Sequence, residues 1–119
     1  MADTASSVEV VVGRFAAALR ETLGSVERVI LFGSHATGQA GPFSDIDVAV
    51  VSQRFRGLDY LSRCALLARA LRGIRAPIQA IALTPRELRE AELASILSEI
   101  ARTGRDMAPD QALAPPSVP

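Results

Sequence analysis

The chain has 119 residues with an apolar share of 49%, which suits one small domain with a real core and leaves no room for a second full one. Thirteen basic and thirteen acidic residues cancel to zero formal charge, so coating nucleic acid by charge alone is excluded and any such contact has to be local. Every basic residue is arginine, which excludes lysine chemistry, and the single cysteine, Cys64, cannot close an internal disulfide.

The opening residues Met1, Ala2, Asp3 and Thr4 lack the basic-then-apolar layout of a secretory signal, and no apolar run is long enough to cross a bilayer. A soluble protein of the reducing cytoplasm is expected. From residue 6 or 7 to residue 23, Val8, Val11, Val12, Phe15, Ala16, Leu19 and Leu23 recur at helical spacing, and Gly24 follows as a stop. Residues 26–32 form a β-branched apolar run ending at Gly33, the pattern of a strand buried on both faces. A short helix is predicted over 34–40, broken by Gly38, Gly41 and Pro42, with an exposed loop around Phe43.

In the next strand Ile46, Val48 and Val50 alternate with Asp45, Asp47 and Ala49, so one face is apolar and the other begins with two carboxylates. Leucines 58, 61, 66, 67 and 71 predict a helix over 58–71 that stops at Gly73, and residues 76–83 read as a third strand. Thr84, Pro85 and Glu87 supply an N-cap, a first-turn proline and a capping-box glutamate for a final helix through Leu88, Leu93, Ile96, Leu97 and Ile100, ending near Gly104. These elements predict an α/β (α+β) domain over 1–105, a small mixed sheet flanked by helices, with a proline-rich flexible tail over 106–119.

Asp45 and Asp47 stand two apart, so the pleat puts both carboxylates on one face as a holder for a hard cation. Mg²⁺ commonly takes one or two carboxylates together with substrate phosphates. Gly33 allows backbone amides to approach a phosphate, and a helix starting at Ser34 would aim N–H groups at it. The chemistry implied is nucleotidyl transfer, with an acceptor hydroxyl attacking the α-phosphorus of a nucleoside triphosphate and pyrophosphate leaving. Each short motif alone is more often a plain turn or a solvated strand end; their joint occurrence carries the reading.

The stretch Leu-Phe-Gly-Ser-His-Ala-Thr-Gly at 31–38, followed by Ser-Asp-Ile-Asp-Val-Ala-Val at 44–50, closely resembles the signature of the DNA polymerase beta-like nucleotidyltransferase superfamily. With ten residues between Ser34 and Asp45 it is most similar to the minimal nucleotidyltransferases often paired with HEPN-domain proteins. The resemblance implies the polymerase beta-like fold, Gly33, Ser34 and Ser44 on the nucleotide side, and Asp45 and Asp47 as catalytic ligands of Mg²⁺ with ATP as donor. It also implies an antitoxin-like role in which AMP is attached to a HEPN partner or the partner is masked by binding, while related domains modify small molecules. Fold kinship does not choose the acceptor.

One position departs from that pattern. Where the superfamily carries a third carboxylate, ahead of the Thr-Pro that opens the last helix, this chain has Gln79. A neutral amide cannot act as a base, so three accounts stay open: a slowed enzyme, a base from another residue or partner, or a binding module without chemistry. Oligomeric state is open as well, since the leucine-rich helices can pack internally or against a second copy.

Among the remaining polar residues, His35 reads as a solvated side chain with phosphate contact as the alternative, and Ser44 as a turn cap or a carboxylate's partner. Arg54 and Arg56 read as an ordinary charged loop, Cys64 as an inert buried thiol, and Asp59 as a helix opener.

Overall fold

A computed structural model describes residues 4–41, 44–90 and 104–107. Helix α1 (Thr4–Leu23) forms where the helical spacing predicts it and turns Val12, Phe15, Ala16, Leu19 and Leu23 inward. It ends at Gly24, whose φ of 85° lets its N–H return to the Arg20 carbonyl at 2.9 Å, a left-handed stop that a side chain would disfavour.

Strand β1 (Arg28–Phe32) follows with Val29, Ile30 and Leu31 buried, and a single-turn helix α2 (Ser34–Thr37) leads toward β2 (Ile46–Val51). β1 and β2 are antiparallel, and their register sets Phe32 opposite Asp47 and Arg28 opposite Val51. A short 3-10 turn (Gln53–Phe55) and helix α3 (Tyr60–Leu71) carry the chain over to β3 (Ile78–Leu83), which runs parallel to β2. This is the crossover that a parallel pair requires. Pro77 has no N–H for a ladder, but its carbonyl accepts from the Ile46 N–H at 2.8 Å and extends the pairing by one step.

A two-residue strand β4 (Arg105–Asp106) adds to the free side of β1, completing a mixed sheet in the order β3-β2-β1-β4. The sequence carried no pattern for β4. Asp106 accepts both guanidinium hydrogen bonds of Arg28, at 2.9 and 2.8 Å, and the Met107 N–H reaches the Val29 carbonyl. The sheet therefore runs just past the boundary expected at 105, where the tail was to begin with Asp106. The predicted helix beyond Glu90 and the tail from 108 onward lie outside the described residues, as does Phe43.

Both sheet faces are covered. Val29, Leu31, Val48 and Val50 pack with Phe15, Leu19, Phe55 and Leu67 beneath α1 and α3. Ile30, Ala49, Val51 and Leu83 pack with Leu88 of helix α4 (Pro85–Glu90) on the other. The alternation expected in β2 is present, and past Asp47 the carboxylate-bearing face turns apolar with Ala49 and Val51, which pack in one cluster with Leu88 of α4. In β2 and β3 the polar side chains are confined to the entry end, Asp47 in one strand and Gln79 in the other.

The capping box is present in full. Thr84 Oγ1 accepts from the Glu87 N–H at 3.1 Å, and a Glu87 carboxylate oxygen accepts from the Thr84 N–H at 2.9 Å. Arg63 grips the same carboxylate at 2.7 and 3.1 Å and holds the Glu87 pKa below its usual range, with the backbone and hydroxyl of Thr84 assisting. We expect Thr84→Ala to lower unfolding stability by about 1 kcal/mol, as lost N-caps do, measured by urea titration. A change under a few tenths would show that Arg63 alone holds the helix start.

Candidate active site

The bend after β1 is built on a backbone that only glycine tolerates. Gly33 has φ 76° and ψ −154°, and a Cβ placed there would collide with Oδ2 of Asp47 and lie 3.3 Å from its Cγ. The absent side chain makes room for that carboxylate. The Gly33 carbonyl then accepts from the N–H groups of Ala36 and Thr37, at 3.0 and 3.2 Å, which winds α2 into its single turn. So short a helix offers an anion local N–H groups and little macrodipole.

The two aspartates lie in different surroundings. Asp45 is exposed and precedes β2, whereas Asp47 is half-buried inside it, between Phe32 of β1 and Gln79 of β3. Burial, and then repulsion from Asp45, push the Asp47 carboxyl above its ordinary value, and electrostatic attraction to His35 partly offsets this. Gln79 donates from Nε2 to Oδ2 of Asp45 at 3.0 Å, so Asp45, Asp47 and Gln79 meet at the entry of one sheet face. Among the described residues no group of three His, Cys, Asp or Glu side chains comes together to hold a metal.

His35 is half-buried rather than solvated, with Nε2 3.3 Å from the Ser44 carbonyl, and it faces Asp47 electrostatically. Its position directly after the bend, across from the loop that ends at Asp45, was the available signal. Ser44 is a turn cap: its Oγ accepts from the Gly41 N–H at 2.8 Å. Ser34, also half-buried, opens α2 beside Gly33.

The arginines lie elsewhere. Arg54 donates from Nε to the Leu23 carbonyl at 2.9 Å and so caps α1, while Arg56 follows the 3-10 turn beyond the far end of β2, about 20 Å along the strand from the carboxylates. Asp59 caps α3, accepting from the Ser62 N–H at 2.8 Å. Cys64 is half-buried, a correction to the fully buried thiol expected, and lines a cavity of about 360 Å³ between α3 and β3 with Tyr60, Leu67 and Ala80. A second cavity, of about 480 Å³, lies by Arg56, Thr84 and Arg89. Asp45 and Asp47 line neither.

The nucleotidyltransferase domain family model matches residues 12–107, most of the chain and every element that shapes this site. The chain belongs to the nucleotidyltransferase domain family. No curated protein gives a significant match. Among solved structures, this nucleotidyltransferase domain is similar to a protein of Sulfolobus solfataricus assigned as a nucleotidyltransferase, with a TM-score of 0.61 and 21% identity over 76% of this chain and 82% of the other. It is also similar to a chain of a toxin-antitoxin structure with AMP-PNP, with a TM-score of 0.56 and 23% identity over 79% and 69% of the two chains. A third likeness is to a structure of tri-AMPylated Shewanella oneidensis HEPN toxin in complex with MNT antitoxin, with a TM-score of 0.52 and 17% identity over 92% and 83%. The resemblance read from the paired motifs is borne out, and so is the mixed sheet with helices. Among the described residues no helix is long and apolar enough to cross a membrane.

Proposed function

We propose that the domain is a Mg²⁺-dependent nucleotidyltransferase that moves AMP from ATP onto a hydroxyl of a HEPN-domain partner protein in the cytoplasm. The observation that carries this is the Asp47 carboxylate lying against Gly33 with Asp45 close enough to raise its pKa. Two carboxylates held together against their own repulsion form a donor set that suits a hard divalent cation. Asp45 and Asp47 would hold Mg²⁺, which supplies charge neutralisation for the triphosphate and the departing pyrophosphate.

The chain's own residues supply the positioning. Gly33 keeps the bend open to phosphate oxygens, the N–H groups at the start of α2 and the Ser34 hydroxyl can donate to them, and Ser44 braces the loop that delivers Asp45. Asp45 is exposed and Asp47 half-buried, so the site is open to solvent and suits a macromolecular acceptor better than an enclosed small molecule. Likeness to structures containing AMP-PNP and an AMPylated HEPN toxin supports the choice of nucleotide and partner.

Incubation with labelled ATP, Mg²⁺ and a HEPN-domain partner is expected to label the partner, and Asp45→Asn is expected to bring labelling to background. Equal labelling by that variant would remove the metal role given to Asp45. A second reading, a module that masks its partner by binding, is favoured by the Gln79 amide bound to Asp45. It predicts a stable complex and a neutralised partner with no label transferred.

A further inference from the structure

Building on the nucleotidyltransferase reading, we propose that Gln79 makes this a site for a single divalent cation, its amide fixing Asp45 where a second cation would otherwise need a ligand. Asp47 and Gln79 are direct partners in the β2–β3 register, and Gln79 Nε2 lies 3.0 Å from Asp45 Oδ2. Gln79 is the donor in this bond, so the nitrogen of the amide is the end that faces Asp45. That end carries two N–H donors and no lone pair. In this orientation the third position of the cluster presents hydrogens, and a cation approaching along β3 would have to turn the amide over and break its bond to Asp45.

Charge leads to the same count. Beyond the nucleotide's phosphates the protein offers two carboxylates, and a neutral Gln79 adds no charge toward a second cation set roughly 3.5–4 Å from the first, the usual spacing of two-metal sites. Asp45 Oδ2 accepts from the amide, so bridging two cations would compete with that hydrogen bond, while its other oxygen stays open to one cation. In return the amide orients Asp45 before any metal arrives, as outer-shell donors do for ligands elsewhere. Gln79 is a positioning residue that exchanges the second cation for a preset first ligand.

The count can be read without turnover. Mn²⁺ titrated into the full chain with one equivalent of AMP-PNP, and followed by electron paramagnetic resonance of the free ion against the same titration of the nucleotide with Asp45→Asn and of the nucleotide alone, is expected to saturate at one ion per chain. Gln79→Glu, nearly isosteric and ionised, is expected to take up two, whereas Gln79→Met should keep one with roughly tenfold weaker affinity, as for a lost outer-shell donor. Independently of either variant's folding, the side-chain amide protons of Gln79 should be shifted from free-amide positions in the metal-free wild type and return toward them in Asp45→Asn. Two ions in the wild type, one in a folded Gln79→Glu, or free-amide signals for Gln79 would each overturn the single-cation assignment. Failure of the wild type to bind any Mn²⁺ would overturn it together with the nucleotidyltransferase reading beneath it.

Discussion

Asp47→Asn is expected to weaken Mg²⁺ binding at least about 100-fold and, at the same time, to raise the melting temperature of the metal-free protein at neutral pH. The first effect follows because removing an outer-shell partner already costs roughly 10- to 100-fold in affinity, and Asp47 would be a ligand itself. The second follows from linkage. Burial and the neighbouring Asp45 raise the folded-state pKa of Asp47 above its ordinary 3.8, so the folded state binds this proton more tightly than the unfolded chain does. The stabilisation this gives is fully present below pH 3.8 and is lost as pH rises through the folded-state value. At pH 7 the ionised Asp47 is a net liability, which asparagine removes. The two proteins should therefore differ in melting temperature at pH 7 and converge near pH 3, and added Mg²⁺ with AMP-PNP should stabilise the wild type alone. A metal-free Asp47→Asn that melts lower at pH 7 would show that the carboxylate is already compensated by groups within the fold.

Gly33→Ala should be the most damaging single methyl group in the molecule. Its φ of 76° with ψ of −154° lies in territory populated essentially by glycine, so a side chain there costs about 1–3 kcal/mol before any contact is counted. The new Cβ then meets the Asp47 carboxylate, whose backbone is locked opposite Phe32 by the β1–β2 ladder. Either the bend unwinds or Asp47 turns away from it. We expect a total loss of about 3 kcal/mol or more by urea titration, and roughly a 100-fold fall in nucleotide transfer from the displaced carboxylate. Wild-type stability in the variant would mean that the bend has slack that the backbone angles deny.

Most of this arrangement was legible in the amino-acid order, because the features concerned are local. The helical recurrence from Val8 to Leu23, the apolar run ending at Gly33, the Asp-X-Asp spacing and the Thr84-Pro85-Glu87 start each depend on residues within a few positions of one another, and each led to the observed element or cap. What escaped depends on pairing across the chain. The unequal environments of Asp45 and Asp47 come from the register that sets Asp47 between Phe32 and Gln79. Gln79 was visible as an amide in a carboxylate's place, but its bond to Asp45 spans 34 positions and leaves no mark in either segment. β4 is held by Arg28 and Asp106, 78 positions apart, with only two residues in the strand and hence no periodicity to detect. The apolar second face of β2 is likewise set by Leu88 of α4, a partner that the pattern within β2 could not announce.

The antiparallel ladder between β1 and β2 also acts as a ruler that ignores the path between its ends. Because backbone pairing sets Asp47 against the bend, a residue inserted between Gly38 and Gly41 would bulge outward and leave the carboxylate where it is. A slip of β2 by a single residue would instead bring Val48 to the place of Asp47, turning methyl groups toward the bend at Gly33 and a charge into the packing beneath α1. The stretch from Gly38 to Gly41 can thus change length while the backbone ladder keeps Asp47 in place against the bend.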